Sequence, residues 1–263
     1  MVLELFIVDA FTKQQFKGNS AAVVVLSAWL DNAVMQNIAI ENNLSETAFL
    51  VEIAPNHYAI RWFSPLTEID FCGHATLASA FVLYQFFACS GELRFSTSQV
   101  GELTVTQTEA GRIVMCFPCQ APEPVHEVPA ALLAGLSLAP KQVLRNRQAY
   151  VVILANEAEV KAVQYDSAQL KTLAPYDVVV TAAGNEVDFV SRYFWPANGG
   201  DEDPVTGSIH SALTPFWSKQ LAKTELMAVQ LSARGGVLYC TMAEDAVIVA
   251  GDAVLYLRGS IYL

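Results

Sequence analysis

The chain has 263 residues, 53% of them hydrophobic and 16% charged, with 15 basic residues and a net charge of −11. That length and apolar content suit two cores at roughly 100–200 residues per domain, while the acidic balance excludes a nucleic-acid partner, which needs a basic face to neutralise phosphates. No run of about 18 uncharged apolar residues suggests a membrane span, and five cysteines in a chain this long form no disulfide framework; a cytoplasmic enzyme is the plain reading.

In chain order, residues 2–9 (VLELFIVD) read as a first strand and not as a signal peptide, because Glu4 and Asp9 interrupt the apolar run. A loop with Lys17-Gly18-Asn19 leads to a strand over 20–27. Trp29-Leu30-Asp31 opens a helix, with Asp31 or Asn32 as N-cap, Val34, Met35, Ile38 and Ala39 on its apolar face, and an end at Asn42-Asn43. Strands follow over Glu46–Glu52 and His57–Phe63, joined by a turn at Pro55-Asn56. A long helix of low polarity is expected from His74 to about Cys89, then strands near 91–97 and 101–117. Five of the eleven prolines fall between Pro118 and Pro140, which marks a domain crossing. Strand–helix alternation then resumes through YVVILA (150–155), VKAVQYD, VVVTAA (178–183) and DFVSRYFW (188–195), and 246–263 is strand-like with Gly251 and Gly259 as punctuation.

An internal repeat organises these elements. Arg61-Trp62-Phe63-Ser64-Pro65 precedes Gly73-His74, and Arg192-Tyr193-Phe194-Trp195-Pro196 precedes Gly207-Ser208. In each half the Gly opens a helix rich in small residues, HATLASAFVLY and SIHSALTPFW. Such helix starts offer backbone N–H groups and the positive end of a dipole. Ala75 and Thr76, with Ser208 and Ile209, are the amides that would grip a carboxylate. The plain alternative is two buried helices whose small residues permit close packing.

The acids divide in the same way. Asp203 precedes Pro204 ahead of the second helix and reads as a turn residue or as a functional carboxylate, while Asp201 and Glu202 are expected in solvent. Glu46 shares strand parity with Ala48 and Leu50. It either starts the strand in water or heads an apolar face, where burial would raise its pKa toward that of a general acid/base. The four histidines show no metal-ligand spacing, and Cys72 with His74 supplies only two ligands, so no metal site is expected. Cys116-Phe-Pro-Cys119 reads as two buried cysteines. No P-loop, GxGxxG or GxSxG occurs.

DAFTKQQFKGNSAAVV (9–24), NLSETAFL (43–50), WFSPLTEIDFCGHATLASA (62–80) and GGDEDPVTGSIHSAL (199–213) together resemble the phenazine-biosynthesis isomerase (PhzF-like) family over essentially the whole chain. The resemblance implies an α+β, diaminopimelate-epimerase-like fold: two pseudo-symmetric domains, each with a curved sheet around a central helix. The expected division is 1–118, to which a C-terminal strand at about 253–263 returns, and 119–252. It implies a homodimer and a cofactor-independent isomerase that moves a proton on a small anionic carboxylate substrate, in a cleft between the domains. Glu46 takes the place of the family's proton shuttle, with His74 and Asp203 assisting. Gly73, Ala75, Gly207 and Ser208 position substrate, and Asn19 lines the cleft. Related epimerases and racemases carry a thiol in each half. Cys72 occupies the first such position and Thr206 the second, which disfavours a two-thiol racemase while leaving open a cysteine-assisted amino-acid or hydroxy-acid epimerase, or a non-catalytic carboxylate binder.

Overall fold

Apolar alternation at the start of the chain produces a strand, β1 (Val2–Ala10), in the computed structural model, which describes all 263 residues. The chain divides into one unit of Met1–Cys116 with Ala250–Leu263 and a second of Phe117–Val249.

In the first unit β1 pairs antiparallel with the C-terminal strand Ala253–Tyr262 on one side and with β2 (Asn19–Leu26) on the other. Helix α1 (Asn32–Asn42) carries the chain to β3 (Glu46–Ala54), which lies parallel to β2, and a tight turn at Asn56 returns it antiparallel as β4 (His57–Phe63). Helix α2 (Gly73–Phe86) then crosses to Leu93–Ser96, parallel to β4. The helix caps have local causes. Asp31 stands at the N-cap of α1, and Asn43 ends that helix in the left-handed region at φ 48°, a conformation asparagine adopts at little cost.

Strand alternation divides the core into two faces. Val24, Leu26, Phe49 and Phe63 pack against Met35, Ile38 and Ala39 of α1. The opposite face of the sheet wraps α2, which touches β1, β2, β3 and the C-terminal strand. Every residue of α2 from Gly73 to Ala80 is buried, the state expected of a helix apolar all round. Leu77 and Leu83 are fully buried, each contributing about 1.5–3 kcal/mol relative to an exposed side chain.

The second unit repeats this pattern of strand directions. Gln142–Arg145 is antiparallel to Ala149–Ile153, which is parallel to Asp177–Ala183, which is antiparallel to Phe189–Phe194. Phe189–Phe194 is parallel to Glu225–Gln230, and that strand is antiparallel to Gly236–Met242. Helix His210–Leu221 packs on the last two strands. Pro215 within it cannot donate to the Ser211 carbonyl, and the Gln120 N–H takes that acceptor at 3.0 Å.

Several boundaries differ from the sequence reading. Helix α2 stops at Phe86 because Ala88 turns left-handed and the Cys89 N–H returns to the Leu83 carbonyl. The expected strand 101–117 is a hairpin of Glu102–Gln107 and Ile113–Pro118, turned at Gly111 with φ 85°. Residues 157–162 and 167–171 are short helices. Cys116 is exposed and Cys119 half-buried, not buried as expected, since Met115 and Phe117 take the inner face. No helix is long and apolar enough to cross a membrane.

Candidate active site

Three turns of chain bring the first-unit residues together. Gly18, at φ 65°, lets the loop between β1 and β2 approach so closely that a Cβ there would lie 2.1 Å from the Ala10 carbonyl oxygen. That turn delivers Asn19 to the head of β2. Glu46 heads β3 opposite Ala21, on the α2 face of the sheet. Cys72 is the N-cap residue of α2, and Gly73 and His74 open its first turn, where the Thr76 N–H already returns to the Cys72 carbonyl. Of the two positions open to Glu46, water or an apolar face, the structure selects the second: Glu46 and His74 are each 6% exposed.

The side chains converge on the imidazole. His74 Nε2 lies 2.9 Å from Glu46 Oε2 and 3.2 Å from Ser45 Oγ. Its Nδ1 lies 3.2 Å from Asn19 Nδ2 and 3.3 Å from Cys72 Sγ. Charge is the larger part of the coupling between Glu46 and His74.

Burial alone would raise the Glu46 pKa, as the sequence suggested. The neighbouring His74 more than reverses this, helped by Ser45 and Cys72, and holds the carboxyl below the usual range. Burial likewise opposes an imidazolium at His74, yet Cys72 and Glu46 beside it outweigh burial and its pKa lies well above 6.5. Burial and the Glu46 charge push the Cys72 thiol up to about 11. At neutral pH Cys72 is therefore a thiol, and the anion facing the imidazolium is Glu46. An amide N–H of Asn19 pointing at Nδ1 would favour a neutral ring instead. The buried charge pair decides: half a turn of the Asn19 amide presents Oδ1 to an Nδ1–H, and Ser45 keeps the Ser20 carbonyl, 3.3 Å away, as its acceptor.

Glu46 also adds a third donor to Cys72 and His74. Its carboxylate oxygen, the thiol sulfur and an imidazole nitrogen lie within 4.8 Å of one another, a set able to hold a divalent cation that spacing along the chain could not reveal.

In the second unit Asp203 sits in a two-residue strand, Glu202–Asp203, paired with Tyr193 and Phe194. Its carboxylate accepts from the Thr206 hydroxyl. The fully buried Gln230 staples the loop, accepting the Thr206 N–H at 2.9 Å and donating to the Asp203 carbonyl at 2.7 Å. The helix begins at His210, later than the sequence suggested, after a tighter lead-in in which the His210 N–H meets the Gly207 carbonyl and the Ser211 N–H meets the Ser208 carbonyl. Gly207 is buried and Ser208 half-buried. Glu202, expected in solvent, is held by Arg192 through two hydrogen bonds of 2.7 and 2.9 Å. Arg61 holds Glu68 in the same way at 2.7 and 2.6 Å. The repeated arginines thus anchor the segment leading into each Gly-led helix.

Sequence reasoning missed Ser45, Gln230, Gln148, Tyr193 and Asp177 as parts of these assemblies. Asp177 carried a legible signal: like Glu46, it is an acid immediately ahead of an apolar strand.

Comparison with known proteins places this geometry in context. The phenazine biosynthesis-like protein (PhzC-PhzF) family model matches residues 8–259. A Pseudomonas aeruginosa protein named an uncharacterized isomerase is 46% identical over 264 residues, with all of both chains covered. The crystal structure of a PhzF-family protein from Enterococcus faecalis, also 46% identical, covers all of both chains with a TM-score of 0.95. A hydroxyproline epimerase from Agrobacterium vitis, at 9% identity, covers 99% of this chain and 92% of its own with a TM-score of 0.61, a likeness of fold that makes the architecture epimerase-like.

Proposed function

Because the chain belongs to the phenazine biosynthesis-like family and is an isomerase, we propose that it isomerises a small carboxylate-bearing molecule by moving a proton through Glu46. The observation that carries this reading is the ionised Glu46 carboxylate, buried yet held 2.9 Å from an imidazolium. Such a carboxylate is a weak base at rest. When His74 turns its proton toward substrate, Glu46 loses the partner that depresses its pKa, and burial then makes it the stronger base. Glu46 removes a proton from one carbon, the electron pair enters the conjugated system, and Glu46 returns the proton at another carbon. His74 stabilises the charge that accumulates between those events.

The same reading assigns substrate contacts to Asn19 and to the amides of Gly73 and Ala75 in the first unit, and to Asp203, Gly207 and Ser208 in the second. It takes the chain to act as a homodimer in the cytoplasm, with sedimentation velocity as the check on assembly. A cysteine-assisted epimerase draws support from Cys72 Sγ, 3.3 Å from His74 Nδ1. The thiol pKa near 11 argues against it.

A panel of small carboxylates incubated in D2O tests the proposal. Deuterium enters a carbon position with the wild-type protein and not with Glu46→Gln. Exchange that persists in that variant refutes the role of Glu46, and binding without exchange for every acid supports a carboxylate binder instead.

A further inference from the structure

The duplicated strand order gives Glu46 a counterpart. Glu46 opens the third strand of its sheet opposite Ala21 of a parallel neighbour; Asp177 opens the third strand of the second sheet opposite Ala149 of a parallel neighbour. Asn19, beside the first parallel pair, touches His74 just after the Gly that leads into α2. Gln148, beside the second pair, touches Ser208 just after Gly207. Each unit therefore brings an acid, a carboxamide and a side chain at a helix start into one cluster. In the first unit acid and helix residue meet directly. In the second they are joined by a relay.

The relay consists of one buried and three part-buried hydrogen bonds. Asn198 Nδ2 donates to Asp177 Oδ1 at 2.7 Å, and the Tyr193 hydroxyl donates to Asp177 Oδ2 at 2.7 Å. Gln148 Nε2 donates to Tyr193 Oη at 2.8 Å and to Ser208 Oγ at 3.0 Å. Each direction is fixed by the one before it. A carboxylate only accepts, so Tyr193 spends its single proton on Asp177. Tyr193 Oη can then only accept, which turns the NH2 end of Gln148 toward it. That nitrogen's second proton goes to Ser208. The Ser208 hydroxyl proton has no acceptor within the protein and is left to donate outward.

We infer that Asp177, Tyr193 and Gln148 are positioning residues that hold the Ser208 hydroxyl as a hydrogen-bond donor, and so make the site select a carboxylate over the corresponding amide. The inference rests on the proposal that Ser208 contacts the substrate carboxylate. It makes a prediction opposite in sign to simple electrostatics. Asp177→Asn removes a negative charge, which by Coulomb attraction alone should tighten binding of an anion. Through the relay it does the reverse. The introduced amide accepts from Asn198 and donates to Tyr193. Tyr193 then donates to Gln148, whose carboxamide turns over to accept, and the Ser208 proton is drawn inward. The ligand now meets lone pairs and not a proton.

The test compares 2-aminobenzoate with 2-aminobenzamide by fluorescence titration of the full chain, reading the ratio of their dissociation constants. A merely structural loosening weakens both probes alike and leaves the ratio unchanged. Ser208→Ala and Asp177→Asn should each move the ratio toward the amide, by about tenfold or more for the loss of a hydrogen bond to a charged group, and Gln148→Leu, which frees the Ser208 hydroxyl to accept as well as donate, should move it the same way by less. Gln148→Leu carries the test if Asp177→Asn does not fold, as judged by circular dichroism. If Ser208→Ala shifts the ratio while Asp177→Asn and Gln148→Leu leave it unchanged, or raise preference for the acid, the relay is overturned and the carboxylate contact at Ser208 stands. If Ser208→Ala shifts nothing, or the wild-type protein binds neither probe, the carboxylate contact itself fails and the inference falls with it.

Discussion

Glu46 Oε2 and His74 Nε2 stand 2.9 Å apart with each residue only 6% exposed, so each charge helps to compensate for burying the other. Removing one therefore changes the other's chemistry. In Glu46→Gln the burial that opposes an imidazolium is no longer outweighed, because Cys72 is a neutral thiol at neutral pH. The His74 pKa should drop below its ordinary 6.5, seen as a shifted imidazole titration by NMR. Proton exchange on substrate should fall about 100- to 10,000-fold, the range for losing a general acid/base. Stability should fall by less than the roughly 3–5 kcal/mol typical of stranding a buried charge, since His74 can shed its proton.

The pair also fixes a pH window for stability. Glu46 has a lowered pKa in the fold, so its contribution is complete above the unfolded value of about 4.5 and is lost as pH falls through the folded value. His74 has a raised pKa, so its contribution is complete below about 6.5 and is lost as pH rises through the folded value. Both are complete together only between those two unfolded values. The difference in urea-unfolding free energy between wild type and Glu46→Gln should thus peak at about pH 5–6 and shrink toward either side. A difference that is flat from pH 4 to 9, or smallest in that window, contradicts the charge pair.

Cys72 has a thiol pKa near 11 and is 7% exposed, whereas Cys116 lies on the outer face of its strand. The thiolate is the form that alkylates. Iodoacetamide at pH 7.5 should modify Cys116 well before Cys72, as read by peptide mass spectrometry. Cys72→Ala should keep deuterium exchange within about threefold of wild type, far short of the loss of a general acid/base. Rapid alkylation of Cys72 accompanied by inactivation would instead favour the epimerase alternative.

Much of this arrangement was legible in the residues, and the gaps have physical causes. The places of β1 to β4 follow from apolar runs and turn residues to within one or two residues at their ends, although β2 and β3 are buried on both faces, under α1 and α2. The end of α2 was misplaced because a helix apolar on every side offers no change of face to mark its last turn; a left-handed Ala88, not a glycine, ends it. Parity left Glu46 either wet or buried, since sequence cannot say what covers a strand end. Its depressed pKa depends on His74, which is distant in sequence. Glu202 looked solvated for a related reason: the Arg192 that holds it belongs to the neighbouring strand.

That arginine gives the last prediction. Arg192 spans Glu202 with two bonds and also donates to the Val163 carbonyl at 2.8 Å, with 12% of its side chain exposed. Arg192→Met leaves Glu202, 19% exposed, and a backbone carbonyl without their donor. A lost partner at a mostly buried charge costs about 3–5 kcal/mol at the upper end, and the partial exposure of Glu202 lowers this to about 2–3 kcal/mol in a urea titration. Arg192→Lys should recover less than half, because one ammonium cannot reproduce a planar fork bound at two oxygens. The double variant Arg192→Met/Glu202→Met should be more stable than Arg192→Met alone, since it removes the stranded carboxylate. If the double variant is the less stable of the two, Glu202 is held by something other than Arg192.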